Sequence, residues 1–441
     1  MIQICTVGGF SDIGRNMTAI KVNDTAVILD MGIHLSNYIK LADEDDIHKF
    51  PLQELIYQGA IPNDKVIEYW KDEVKAIIPT HAHLDHIGAI PFLAKNYDAE
   101  IICTPFTKAV LEAILTDEKI KLPNTIKSLS PNTKYKIDDN ITIEFIAVTH
   151  STPQSVFVIL HTPEGQVMYT NDFKFDQYPV LGKKTDVKKL QALKDIKLLF
   201  CDSTRCLDLK KTPSEQIAKQ MLTDILEGSH LENNAIIVTT FSSHIARLKT
   251  IVELAKKMNR KVIFLGRSLA KYVEAAELIK LVEFSKNIKQ AKYPNEVQKA
   301  LKLVEGNKEK YLLVVTGHQG EPKSVLSKIA NDTYAFKFQP NDAVIFSSTV
   351  IPTPENKKNR ELLEALLQKK NIRIFKDIHV SGHAGKEDIR DLILFTNPKN
   401  IIPSHCNKSL SDGLVTLAVE MGYIQGINLY QMGDGSMLEL K

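Results

Sequence analysis

A mixed α/β fold, with one α/β domain inserted into another, is what this sequence predicts, and three observations carry the prediction. Short apolar runs alternate with helix-like stretches along the chain. Several of those runs end directly in His or Asp. Between Cys206 and Ile351 the pattern tightens into regular βαβ units, after which the earlier pattern resumes. At 441 residues the chain is long for a single core, which agrees with two domains. The expected boundaries are residues 1–205, 206–351 and 352–441, the first and last forming one domain and the middle block the insertion.

In order, Gln3 to Val7 reads as a strand before the turn Gly8-Gly9, and Met17 to Val22 and Ala26 to Asp30 read as a hairpin across Asn23-Asp24. Residues 34–70, with an acidic patch at 43–46, read as an irregular excursion with short helices. Val74 to Ile78 is a buried strand ended by Pro79. Glu100 to Cys103, Ile141 to Val148, a hairpin of Ser155 to His161 with Gln166 to Thr170, and Lys197 to Cys201 follow. The middle block has strands at Ala235 to Thr239, Lys261 to Leu265, Tyr311 to Val315 and Ala343 to Phe346. Ile372 to Phe375 and Asn400 to Pro403 resume the first pattern.

Composition narrows the class. Hydrophobic residues at 44% and charged residues at 25% are ordinary for a globular protein. A formal charge of +3 is too small to mark the whole surface as a polyanion binder, so any nucleic-acid surface is local. Cys5, Cys103, Cys201, Cys206 and Cys406 are scattered without paired spacing, so neither a disulfide framework nor a thiolate metal site is indicated. No apolar run approaches membrane-spanning length and the N-terminus runs straight into a strand, so a cytoplasmic protein with no membrane partner is expected.

Chemistry concentrates at Thr80-His81-Ala82-His83-Leu84-Asp85-His86. Three imidazoles and a carboxylate within six positions suit zinc or a similar divalent ion, and exceed what one tetrahedral ion needs from one loop. The surplus points to two ions. Other strands end in His150, Asp172, Asp202 and His405, which supply the completion. His81, His83 and His150 would hold one ion, Asp85, His86 and His405 the other, with Asp172 bridging. Two dications roughly 3.5–4 Å apart acidify water and stabilise in-line displacement at phosphorus.

The cluster His81 to His86, with His150, Asp172 and His405, resembles the metallo-β-lactamase superfamily. Asp202 in Cys201-Asp202-Ser203-Thr204, His383 in Ser381-Gly382-His383-Ala384, and the inserted block narrow the resemblance to the β-CASP nucleases. Val7 to Met17, Thr170 to Asp176 and His379 to His383 resemble the archaeal form of the ribonuclease J family, over essentially the whole chain. Three features depart from the family pattern. The chain ends at Lys441 without the C-terminal domain of bacterial relatives, Asp12 stands where Glu is commoner, and Cys406-Asn407 follows His405 where Gly is expected.

The resemblance implies an αββα metallo-β-lactamase sandwich with an inserted α/β β-CASP domain. It also implies two zinc ions per chain (manganese or magnesium serving in activity), hydrolysis of single-stranded RNA, and a homodimer that works with RNA helicases or exosome-type decay factors. Catalytic roles fall to Asp85, Asp202 and His383, with His383 as general acid toward the leaving ribose oxygen and Asp202 orienting it. A pocket for a 5′-terminal monophosphate is expected from Ser242, Ser243, Arg267, His379, Ser381 and Gly382, favouring 5′-to-3′ exonuclease action with endonuclease action beside it. Two alternatives remain at this point: a catalytically silent RNA-binding subunit, and a nuclease of the same fold acting on DNA ends. The loop Thr316-Gly317-His318-Gln319-Gly320-Glu321-Pro322 is expected to support the RNA channel.

Overall fold

The computed structural model describes residues 1–44 and 46–441, so of the acidic patch only Asp45 lies outside the described residues. The chain divides into two compact units. The first contains Met1–Gln177, Lys183–Thr212 and Gly382–Lys441; the second contains Tyr178–Gly182 and Pro213–Ser381.

The first unit is a sandwich of two sheets. One has the order Ser436–Leu440, Ile2–Gly8, Met17–Val22, Thr25–Leu29, Val74–Ile78, Glu100–Cys103, Ile126–Ser128. The other runs Ile401–Ser404, Ile196–Asp202, Gly165–Tyr169, Val156–Thr162, Thr142–Ala147, Lys134–Lys136. Alternate residues of the strands point to opposite faces. Thus Val27, Leu29, Ala76 and Ile78 of the first sheet meet Phe145, Val158, Leu160, Leu198 and Phe200 of the second in one core. On the other face of the second sheet, Phe157, Ile159 and Leu199 pack with Ile389, Leu392 and Ile393 of helix Lys386–Thr396 and Leu414 and Leu417 of helix Lys408–Glu420. The outward face of the first sheet is buried as well: Ile28, Ile77 and Ile101 are fully covered, and the helical turn Asp64–Glu73 with Trp70 packs beside it. This is the expected αββα arrangement.

Strand direction sets where the site lies. Thr25–Leu29 and Val74–Ile78 are parallel, as are Gly165–Tyr169, Ile196–Asp202 and Ile401–Ser404. Their C-terminal ends emerge at common sheet edges, and those ends carry Asp30, His81, Asp172, Asp202 and His405.

The second unit has one six-stranded parallel sheet, ordered Ile288–Ala291, Lys261–Leu265, Tyr311–Val315, Ile236–Thr239, Ala343–Phe346, Arg373–Phe375. Besides the short excursion Tyr178–Gly182, its chain exchanges fall at 212/213 and 381/382, against expected boundaries of 205/206 and 351/352. The second difference has a local cause. Pro352-Thr353-Pro354 reads as a break, yet Thr353 caps a helix by accepting from Asn356 N, and Pro354 occupies its first turn. That helix, Pro354–Lys369, buries Leu363 and Leu367 in the core containing Ile237 and Leu313, and the strand Arg373–Phe375 completes the sheet.

Candidate metal centre

Three strand ends bend sharply to aim their side chains inward. Asp30, Asn171 and His405 have φ of 59°, 56° and 53°, a left-handed conformation that short polar residues tolerate best. The loop carrying His81 to His86 is held against Asp30 by backbone bonds, Met31 N to His86 O at 2.8 Å and Ile33 N to Leu84 O at 3.0 Å. Gly32 makes this possible, because a Cβ there would lie 1.6 Å from Asp85 O.

Around this frame two groups of side chains converge, the ligand-type atoms of each within 4.8 Å of one another. In the first, His83 Nδ1 lies 3.0 Å from His81 Nε2 and 3.3 Å from His150 Nε2. Asp172 Oδ2 is 3.5 Å from both of those Nε2 atoms. In the second, Asp85 Oδ2 lies 3.3 Å from His405 Nε2 and 3.5 Å from His86 Nε2. Asp172 Oδ1 is 3.5 Å from His86 Nε2 and 2.7 Å from His405 Nδ1. Asp172 therefore faces both groups, one oxygen to each.

These donors fit divalent cations. Ring nitrogens and carboxylate oxygens at such spacing can close on an ion between them. His405 Nε2 is buried and faces Asp85 Oδ2 at 3.3 Å without an aligned hydrogen bond, as two donors set to share a cation would. Partners behind the rings fix which nitrogen faces inward. His86 Nδ1 sits 2.8 Å from Asp30 Oδ2, while Asp30 Oδ1 accepts from Thr80 N and Oγ1 at 2.8 and 2.7 Å. His150 Nδ1 donates to Gly382 O at 2.8 Å. Asn171 lies 2.9 Å from His81 Nδ1 through its Nδ2, and its Oδ1 is buried without a partner among the described residues. Turning that amide over pairs Oδ1 with a proton on His81 Nδ1 and leaves Nε2 for an ion.

The two groups differ electrostatically. Burial, reinforced by His81, pushes His83 down to about 3. Burial, with His81 and His83 outweighing the pull of Asp172, holds His150 well below its ordinary value. Both are neutral, with lone pairs to give. Burial opposes the charged form of His405 too, but Asp172 and Asp85 raise it to about 10. His86 is likewise raised well above its ordinary value against burial, by Asp172, Asp30 and Asp85. The second group thus attracts positive charge, whether proton or metal.

His383 stands beside the cluster. Its Nδ1 is 3.0 Å from Asp202 Oδ2 and 2.8 Å from Thr204 Oγ1, and its Nε2 is 3.8 Å from Asp172 Oδ2. Thr204 also donates to Asp202 through its N at 2.9 Å and through its hydroxyl, and Thr212 Oγ1 donates to His383 O at 2.6 Å. Burial works against a charged ring, yet Asp172 and Asp202 raise His383 above its ordinary value.

In the second unit, the remaining expected residues gather at the C-terminal edge of the parallel sheet, where ligands of open α/β sheets bind. Ser242 Oγ lies 3.0 Å from Ser268 Oγ, next to exposed Arg267. Phe241 packs its ring 4.3 Å from that of His318 and 6.1 Å from that of His379. Neither Ser242 nor Ser243 caps the following helix; His244 does, accepting from Arg247 N. Ser381 is the last residue of this unit, and Gly382 belongs to the first. In the glycine-rich loop, Gln319 holds Thr349 O and Ile351 N, and Arg360 donates to His318 O at 2.8 Å. Those bonds brace the loop.

Asp30, Asn171 and Thr204 were missed by sequence reasoning. Asp30 carried a usable signal, since it ends an apolar strand as His150 and Asp172 do. Asn171 and Thr204 carried none beyond adjacency to the residues they serve.

Comparison with known proteins decides the family. Residues 12–199 match the metallo-beta-lactamase superfamily, 233–364 the ribonuclease J beta-CASP domain, and 369–428 a Zn-dependent metallo-hydrolase RNA specificity domain. The chain is 42% identical to ribonuclease J of Methanocaldococcus jannaschii, covering 100% of this chain and 99% of that protein. The chain belongs to the ribonuclease J family. Ribonuclease J of Pyrococcus abyssi is 41% identical, with 100% and 97% covered. Ribonuclease J 1 of Streptococcus pyogenes is 31% identical over all of this chain, which spans 74% of that relative. A crystal structure of an Enterococcus faecalis protein of unknown function shares the fold, with a TM-score of 0.67, 17% identity and full coverage of both chains. Family membership and the His/Asp cluster together make this a divalent-metal-binding nuclease. No helix among the described residues is long and apolar enough to cross a membrane.

Proposed function

We propose that this metal-dependent ribonuclease is a two-zinc 5′-to-3′ exonuclease that prefers 5′-monophosphorylated single-stranded RNA and also cuts internally. The observation that carries the reading is Asp172, whose two oxygens each face a separate three-residue group, with His383 Nε2 3.8 Å from the same carboxylate. His81, His83 and His150 would hold one ion and Asp85, His86 and His405 the other. Divalent ions held there supply an acidified water and stabilise charge on the phosphoryl oxygens.

The chain's own groups supply the rest. Hydrolysis breaks the bond between phosphorus and the 3′ oxygen, whose alkoxide needs a proton. His383 Nε2 gives that proton while Asp202 accepts from Nδ1 and stabilises the imidazolium left before donation. The departing nucleotide keeps its 5′ phosphate, and so does the shortened RNA, which is then a substrate again. Ser242, Ser243, Arg267, His379 and Ser381 would receive that terminal phosphate; hydroxyls at a helix start and a guanidinium suit it. The family's character supports a cytoplasmic homodimer acting alongside RNA helicases or exosome-type decay factors, which light scattering and affinity capture test.

The decisive experiment follows 5′-labelled monophosphorylated RNA, triphosphorylated RNA and single-stranded DNA in parallel. Labelled mononucleotide appears from the first turnover on the monophosphorylated RNA. If labelled fragments of mixed length come first, the exonuclease reading is wrong.

A further inference from the structure

Gly382 stands among the residues expected to grip phosphate, and its surroundings give it further work at the metal centre. It is buried, and its carbonyl accepts from His150 Nδ1 at 2.8 Å. A carbonyl can only accept, so a neutral His150 must carry its proton on Nδ1 and present the lone pair of Nε2. That Nε2 lies 3.3 Å from His83 Nδ1 and 3.5 Å from Asp172 Oδ2. A Cβ at residue 382 would sit 2.8 Å from both Cε1 and Nδ1 of His150 and 3.0 Å from Ser151 N. Gly382 is not among the glycines with positive φ, so its backbone conformation would admit alanine. Space, not conformation, demands glycine here.

The segment cannot slide away to make room. The next residue, His383, is tied at its carbonyl by Thr212 and at its ring by Asp202 and Thr204. Two residues further on, a Cβ at Gly385 would lie 2.0 Å from Lys210 O.

We infer that Gly382 is a positioning residue of the metal centre: its carbonyl and its missing side chain hold the His150 imidazole with Nε2 turned toward His83 and Asp172, the residues that would hold the ion with it. Through His383, the same stretch of backbone couples that ion's seat to the proton donor. This inference rests on the two-ion reading above and concerns metal affinity, which needs no RNA to measure.

The test is calorimetric titration of the metal-depleted full chain with Zn²⁺, for wild type, Gly382→Ala, His150→Ala and the double variant. Gly382→Ala weakens one of two equivalents by about 10–100-fold, the usual effect of removing an orienting partner. With the ring already removed by His150→Ala, adding Gly382→Ala changes affinity by less than about twofold, because the clash has gone. Should Gly382→Ala not fold, recovery of folding in the double variant reports the same steric contact. Wild-type affinity in Gly382→Ala, or equal losses in both backgrounds, overturns the inference. A wild-type chain that takes up no metal overturns the two-ion reading itself.

Discussion

The two candidate regions, the His/Asp cluster of the first unit and the sheet edge of the second, are built on different principles. The cluster packs seven ligand-type side chains into a largely buried space, and His86, His81 and His150 are oriented from behind by a carboxylate, an amide and a carbonyl. The sheet edge offers the half-exposed Ser242, His379 and Ser381 and the buried Ser243, with exposed Arg267 beside them. Buried charge demands a partner and fixed geometry, whereas a solvated phosphate can be gripped by mobile, exposed donors. The first region should therefore fail abruptly on substitution, and the second gradually.

The largest effect is expected at the residue both groups share. Asp172→Ala removes a ligand from each, and turnover on monophosphorylated RNA should fall by more than about 10³-fold, with fewer than two metal equivalents retained. Retention of both equivalents would break the account of Asp172 as a bridge. Next comes His383→Ala, which should lower kcat by about 10²–10⁴-fold while metal content stays at the wild-type value. A parallel loss of metal would instead make His383 a ligand, as its grouping with Asp172 and Asp202 allows.

At the sheet edge, Ser242→Ala and His379→Ala should each raise KM for monophosphorylated RNA by roughly 3–30-fold, the loss of one or two hydrogen bonds to a charged group. KM for RNA with a 5′ hydroxyl should stay unchanged. Equal effects on both substrates would remove the terminal phosphate from this edge.

The smallest effect on catalysis concerns a buried brace in the second unit. Glu215 pairs with Arg247, which donates to Ser347 O and to Ile378 O, next to His379. Burial opposes ionisation of Glu215, but His244 and Arg247 hold its carboxyl well below the ordinary range. A carboxyl so depressed contributes stability in full above its unfolded value of about 4.3 and loses it as pH falls toward the folded value. Glu215→Gln should then cost about 3 kcal/mol at neutral pH and flatten the acid limb of Tm against pH. An unchanged acid limb would assign acid sensitivity elsewhere.

The sequence by itself determined most of the strands and the metal-ligand cluster, while the short strands Ile126–Ser128, Lys134–Lys136, Ile288–Ala291 and Ser436–Leu440 went unread. Apolar runs of strand length and ligand crowding are local, and His81 to His86 lie within one loop. The later ligands were legible because each ends an apolar strand. Only the tertiary structure decided what stands behind them. Asp30 reaches His86 across 56 positions, Gly382 reaches His150 across 232, and no local pattern encodes such meetings. The grouping of the helix Pro354–Lys369 was illegible for the same reason: whether it joins one core or the other depends on which sheet its Leu363 and Leu367 find. Burial is a property of the assembled chain, and so is the need for glycine at residue 382.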